Sequence, residues 1–282
     1  MKKDSYHIIG VMSGTSIDGV DLCYANFRFK NKWNYEILNT ITYNYSAQWK
    51  ERLLNAVDLD KISLDKLDIE YTNLLISLIK KFILKFRINK IDAISSHGHT
   101  VFHQPSKGIT YQIGNLPELA ISLNLNVVCD FRVQDVKLGG QGAPLVPIGD
   151  KLLFSDYDYC LNLGGFSNVS YKNKDEIIAF DISPVNCVLN HYSNIIGFDY
   201  DNHGLIAKSG NIDLKLLDEL NSLEYYNSTI PKSLSIEWVI EIIFNKINQY
   251  NLSISDILRT YCEHISVQIA NSIKDDSSTI FI

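Results

Sequence analysis

No stretch of this chain reaches the ~20 consecutive apolar residues that a membrane-spanning helix needs, so no bilayer span is expected. The five cysteines, Cys23, Cys129, Cys160, Cys187 and Cys262, stand singly, with no Cys-x-x-Cys among them. That spacing argues against a disulfide framework or a zinc knuckle and fits buried free thiols in a reducing cytoplasm. There is no long basic block: 26 lysines and arginines face 32 aspartates and glutamates, for a net charge of −6. Nucleic acid is therefore not the expected partner. The N-terminus, MKKDSYHIIG, carries no apolar segment ahead of its first strand, and a signal peptide is not expected. What remains is a chain of 282 residues, 46% hydrophobic, long enough for two domains of ordinary size.

The most informative stretch runs from His7 to Tyr24, HIIGVMSGTSIDGVDLCY. Two apolar runs flank a cluster of small and hydroxylated residues, which predicts two strands joined by a tight turn. The turn has no lysine or arginine, and Ile17 is its one apolar residue. It is neither a P-loop, which needs a lysine after the glycines, nor a G-x-G-x-x-G helix opening. Such a loop lets backbone N–H groups surround an anion, with Thr15 and Ser16 adding donors. Asp18 and Asp21 would repel a bare phosphate but suit one that arrives with Mg2+. An ordinary Ser/Gly hairpin stays open as a reading on composition.

Aromatic-rich alternation continues to Tyr43 and predicts one or two further strands. From Leu64 to Phe86 the apolar residues recur at steps of three and four, one face of a long amphipathic helix. Ile91 to Ser96 predicts a brief strand ending in His97-Gly98-His99. Three histidines (His97, His99, His103) invite a metal reading, but no carboxylate or cysteine nearby completes a ligand set. A strand ending in His-Gly before a loop is a common place to present polar groups to a ligand in α/β folds. Val127 to Cys129 predicts a buried strand, and Arg132 beyond it is open to a salt bridge with Asp130 or Asp135 or to a ligand contact. Gly139 to Pro144 reads as a hinge, which puts a domain boundary near Gly139: residues 1–138 and 139–282.

The second half repeats the plan. Tyr157 to Tyr171, YDYCLNLGGFSNVSY, is again strand, small polar turn, strand, followed by another strand at Glu176 to Phe180. Asp181 follows that strand and could merely cap the next helix, Val188 to Ile195. Helices are predicted at Leu214 to Leu220, Trp238 to Ile247 and Ile254 to Ile273, and a strand at the very end. Lys232 is open to two readings, a phosphate or sugar contact or a surface lysine at a helix entry.

The string GVMSGTSIDGVD, Gly10 to Asp21, closely resembles the phosphate-binding hairpin of the anhydro-N-acetylmuramic acid kinases, a family of the actin-like sugar-kinase superfamily. SHGHT, DFRVQDV, GGQGAPLVP, FDISPVN and IPKSLS resemble further segments of that family, with departures at His99, Ile182, Ser183, Val185 and Ile230. The resemblance implies an α/β fold of two ribonuclease-H-like (actin-like ATPase) domains flanking a cleft. It implies ATP with Mg2+ as cofactors, an amino sugar as substrate, a cytoplasmic protein of cell-wall recycling, and a homodimer as one assembly state. Carried over residue by residue, Asp181 would be the catalytic base. Gly14, Thr15, Ser16, Ile17, Asp18, Gly19, Val20 and Asp21 would hold the nucleotide together with Gly164, Gly165 and Asn168. His97, Gly98, Arg132, Pro184 and Asn186 would meet the sugar. The chain stops where the family continues into an adenosine-gripping glycine loop, so a truncated, catalytically silent sugar- or phosphate-binding remnant is the alternative. A polyphosphate-hydrolysing phosphatase of the same superfamily ranks third.

Overall fold

The computed structural model describes residues 3–14, 17–104, 107–174, 176–273, 275 and 277–282. Thr15 and Ser16, assigned to the hairpin on sequence, lie outside the described residues. The chain is mixed α/β and divides into two compact units, Met1–Val146 and Pro147–Ile282.

The first unit opens with an antiparallel meander of β1 (Ser5–Met12), β2 (Gly19–Phe29) and β3 (Trp33–Asn44). β4 (Ala93–Ser96) pairs parallel to β1. β5 (His99–Gln104) and β6 (Ile109–Ile113) form a separate hairpin, where the sequence predicts a loop. β7 (Val127–Val128) completes the main sheet in the order β3-β2-β1-β4-β7. It is shorter than predicted, and Val128 is exposed.

Helix Lys61–Phe86 starts where Asp60 accepts the Ser63 N–H at 2.8 Å and stops at Arg87, which takes a left-handed conformation. Its Leu64, Leu67, Tyr71, Leu75, Ile79 and Phe82 are buried together with Ile9, Val11, Val20, Leu22 and Ile94 of the sheet. Each such apolar side chain contributes roughly 1.5–3 kcal/mol on burial, so the stripe of one helix holds the sheet that carries the first turn.

The second unit repeats the layout. β8 (Tyr159–Leu163), β9 (Phe166–Asn173) and β10 (Glu176–Pro184) form an antiparallel meander, and β11 (Ile280–Phe281) pairs parallel to β8. The order β10-β9-β8-β11 matches β3-β2-β1-β4 strand for strand. The repeat legible in sequence is thus a repeat of topology. Helices Asn186–Ile195, Leu214–Asn221 and Ile254–Ser272 bury Val188, Tyr192, Leu216, Leu220, Leu258 and Tyr261 in one core. The helix predicted at Trp238 to Ile247 contains a π-helical stretch, Val239–Phe244, and Val239, Ile243 and Ile247 recur at steps of four on its buried side.

All five cysteines are free, and each is partly rather than fully buried. Among the described residues no helix is long and apolar enough to cross a membrane.

Candidate active site

β1 delivers the chain into the first turn at Ser13 and Gly14. The Gly14 carbonyl accepts the Ile17 N–H at 3.3 Å, and Ile17 takes a left-handed backbone (φ 53°), a costly place for a β-branched residue. Its side chain packs on the first core, which repays that strain in burial. Asp18 accepts the Gly19 N–H at 3.0 Å through Oδ1 and the Tyr45 N–H at 3.1 Å through its carbonyl. Asp21 accepts the Thr42 hydroxyl across β2 and β3. Gly19 is required on packing grounds, since a Cβ there would lie 2.6 Å from the Tyr43 carbonyl oxygen. Val20 is fully buried, so only its backbone can face a ligand, whereas Asp18 and Asp21 are exposed.

Beneath this turn lies a buried set of hydroxyls that sequence reading missed. Ser13 Oγ accepts the Tyr71 hydroxyl at 2.8 Å and shares hydrogen bonds with Tyr45 Oη (2.8 Å) and His99 Nδ1 (3.3 Å). Tyr45 and Tyr71 are themselves 2.6 Å apart at their oxygens. Burial pushes the Tyr71 hydroxyl well above its usual pKa and lowers His99 to about 4, so His99 is a neutral imidazole near pH 7. His99 is buried in this network. Nothing in the local sequence links positions 13, 45, 71 and 99.

His97 and Gly98 follow β4. The His97 N–H donates to the Val11 carbonyl at 3.0 Å, and the ring Nδ1 lies 2.8 Å from the Gly98 carbonyl. Arg132 donates from Nε to His97 Nε2 at 3.0 Å and from Nη1 to the Gly142 carbonyl at 2.8 Å. A ring that accepts at Nε2 must carry its proton on Nδ1, so the tautomer follows from the partners. Burial and the nearby guanidinium both lower the His97 pKa. Arg132 is therefore engaged with His97 and Gly142, not with Asp130 or Asp135, among the described residues. Gly98 has φ 72°, and a Cβ there would sit 2.6 Å from the Ile113 carbonyl oxygen, so glycine is needed. Gly142 donates to Asp135 at 2.6 Å, which ties the predicted hinge to the first unit.

In the second unit the turn between β8 and β9 holds Gly164 and Gly165. Their carbonyls accept backbone N–H groups from Asn186 (3.3 Å), Val185 (2.8 Å) and Cys187 (3.3 Å) at the start of the next helix. Asn168 on β9 pairs with Asp181 on β10. A bulge after Asp181 shifts the register, a device that re-aims a side chain at a strand end. Asp181 does not cap the following helix. Its Oδ2 accepts the Leu234 N–H at 2.9 Å, and burial raises its pKa while that hydrogen bond opposes the rise. The buried Pro184 carbonyl accepts from Ser183 and from Tyr261 (3.1 Å), and Asn186 is exposed. Lys232 is partly buried rather than on the open surface. It donates to the carbonyls of Tyr225 (2.8 Å) and Tyr226 (3.2 Å) and lies 4.6 Å from the Tyr225 ring centroid.

The structure thus joins the first turn to the His97 segment through Ser13 and His99, and Gly164, Gly165 and Asn168 to the segment carrying Asp181 and Asn186. Among the described residues no group of three or more histidine, cysteine or acidic side chains is placed to hold a metal ion by itself.

Comparison with known proteins concerns the chain as a whole. A family model described as anhydro-N-acetylmuramic acid kinase matches residues 6–280. An anhydro-N-acetylmuramic acid kinase of Vibrio cholerae is 33% identical over 94% of this chain and 74% of its own length. One from Zymomonas mobilis is 34% identical over 94% of this chain and 76% of its length. One from Sulfurimonas denitrificans is 34% identical over 97% and 78%.

Proposed function

The chain belongs to the anhydro-N-acetylmuramic acid kinase family, and from that premise we propose that it is an ATP-dependent kinase of cytoplasmic cell-wall recycling. It converts 1,6-anhydro-N-acetylmuramic acid and water to N-acetylmuramic acid 6-phosphate. Asp181 takes a proton from water as the water oxygen bonds to the anomeric carbon. The bond from that carbon to the bridging oxygen breaks, and the freed oxygen accepts the γ-phosphoryl group of ATP. The observation that carries this reading is the state of Asp181. It is a half-buried carboxylate with a raised pKa, one oxygen held by Leu234 and no hydrogen bond to the other among the described residues. A base with its pKa raised toward the working pH is better matched to proton abstraction than an exposed aspartate.

The first turn supplies backbone donors for the nucleotide phosphates, and Ser13, Tyr45 and Tyr71 fix the turn before anything binds. Asp18 and Asp21 are the residues that would hold Mg2+. Two exposed carboxylates suit an ion that takes the rest of its shell from phosphate and water, and bound there it would neutralise phosphate charge. His97, Gly98 and Arg132 would meet the sugar, with Arg132 keeping its remaining N–H groups for it.

A binding-only protein gains no support from the fold or from the relatives. The test is ADP release from the purified chain with Mg-ATP, with and without anhydro-N-acetylmuramic acid. Sugar-dependent ADP is expected. Sugar binding by a folded chain that releases no ADP would overturn the kinase reading.

A further inference from the structure

We propose that residues 224–235 form a strap that positions Asp181, with Tyr225 and Lys232 holding its backbone and the Leu234 N–H fixing Oδ2, so that Oδ1 is the atom that receives the proton. The proposal rests on the reading of Asp181 as the general base and adds residues to it.

β10 is an edge strand, and at Asp181 its outward backbone would be unpartnered without the strap. The strap meets that one residue at three places. The Asp181 N–H donates to the Lys232 carbonyl at 3.0 Å. The Tyr225 hydroxyl donates to the Asp181 carbonyl at 2.6 Å. The Leu234 N–H donates to Oδ2 at 2.9 Å. Backbone N–H, backbone C=O and side chain are thus all held by a single segment, while Asn168 opposes from β9. A carboxylate with one oxygen fixed cannot exchange its two oxygens by rotation, so the same atom faces the water in each turnover.

The strap is braced at both ends. Lys232, near its C-terminal end, donates to the Tyr225 and Tyr226 carbonyls near its N-terminal end, with its ammonium close to the Tyr225 ring. Two of the ammonium's three N–H groups are thus given to carbonyls, with an aromatic face beside it, and both contacts brace the strap. Tyr226 roots the strap in the core: its hydroxyl meets Nε2 of the fully buried His264 at 2.8 Å. His264 Nδ1 in turn meets Asn221 Oδ1 at 2.7 Å, and Gln268 donates to the same oxygen. Among the described residues the titratable group that interacts electrostatically with Asp181 is Tyr225, from the strap; its β9 neighbour is the neutral Asn168. Burial raises the Asp181 pKa and the Leu234 hydrogen bond lowers it, so the strap also tunes the base it holds.

The experiment is steady-state kinetics with ATP and anhydro-N-acetylmuramic acid on the full chain and its Lys232→Met, Tyr225→Phe and Leu234→Pro variants, with pH profiles of kcat/KM and Asp181→Asn as control. Lys232→Met and Tyr225→Phe are expected to lower kcat by about tenfold to a hundredfold, with KM for ATP within about twofold. Lys232→Arg, which keeps donors for both carbonyls, should recover part of the loss. Leu234→Pro removes the donor to Oδ2, so the acidic limb of its profile should move to higher pH. Tyr225→Phe keeps the ring and carries the test if Lys232→Met fails to fold. A raised KM for ATP with unchanged kcat in Lys232→Met would make Lys232 a ligand contact and overturn the strap. So would variants that lower only the melting temperature, with wild-type kcat and an unmoved acidic limb. Turnover surviving in Asp181→Asn would instead overturn the base itself, so the two failures are distinguishable.

Discussion

The turn after β1 and the turn after β8 stand at matching points of two sheets with the same strand plan, and they are held by different means. The first rests on side chains from distant positions: Ser13, Tyr45, Tyr71 and His99 meet beneath it, and Gly19 is pressed against β3. The second rests on the local backbone: Gly164 and Gly165 accept N–H groups from residues 185–187, and no atom lies within 4 Å of a Cβ placed on Gly165. Duplication of a strand plan therefore does not duplicate how a turn is fixed. The first turn is shaped by a preformed polar layer, which suits a site that must present backbone donors in one arrangement. The second is a short bridge whose firmness depends on the segment carrying Asp181 and Asn186, so its shape is coupled to that segment.

The largest expected effect separates the two units by role. Asp181→Asn removes the proposed base while keeping the shape and the Leu234 contact, and kcat should fall by at least about a hundredfold with sugar affinity retained by calorimetry. Wild-type turnover would remove chemistry from the second unit and leave the comparison one of packing alone. Next comes Gly19→Ala. The added Cβ meets backbone that cannot move without displacing β3, so a stability loss of about 2–3 kcal/mol is expected in denaturant melts. A variant as stable as the wild type would show that the first turn is looser than its packing implies.

The parts of this arrangement that were legible in sequence are the ones carried by local pattern. The three- and four-residue steps from Leu64 to Phe86 give the long helix, because one face must be buried. The small-residue turns between apolar runs gave both hairpins and the repeat. Asp181 entered through resemblance; periodicity alone left it as a helix cap. The β5–β6 hairpin escaped notice because its histidines, glycine and proline mask strand alternation. The hydroxyl layer was invisible for a stronger reason: it joins positions up to 86 apart through the tertiary fold, and no spacing rule covers such a distance. Lys232 shows the converse. The sequence left it as a ligand contact or a surface lysine at a helix entry, yet its ammonium donates to two carbonyls of its own segment.

Two smaller effects sharpen the account of the first turn. Tyr71→Phe deletes a hydroxyl that donates to Ser13 and bonds Tyr45, leaving buried oxygens short of a partner at a cost of about 1–3 kcal/mol. KM for ATP should rise as the turn loosens, and an unchanged KM would detach the polar layer from nucleotide binding. Acid titration examines the same layer. His99 binds its proton with a pKa of about 4 in the folded chain, against about 6.5 when unfolded. Between those values the unfolded chain carries the extra proton, so stability is full above pH 6.5 and falls as the pH drops toward 4. His264, lowered to about 3 in the second unit, continues the loss further into acid. Melting curves of His99→Gln should show a shallower decline than the wild type between pH 6.5 and 4. Parallel curves would mean that His99 does not stay neutral in the fold.

The smallest expected effect on the fold is at Gly165, and it is informative for that reason. Gly165 lies outside the left-handed region and a Cβ there meets nothing, so Gly165→Ala should change stability by less than about 0.5 kcal/mol. The matched change in the first turn, Gly19→Ala, is expected to unsettle the sheet. If Gly165 faces bound phosphate, the added methyl group takes space that only a ligand would otherwise fill. KM for ATP should then rise in a protein that melts like the wild type. An unchanged KM would confine nucleotide binding to the first turn and leave the second as a bridge to the Asp181 segment alone. A lower melting temperature would show instead that open space at a turn is a poor guide to its tolerance, and would make the two turns more alike than their packing suggests.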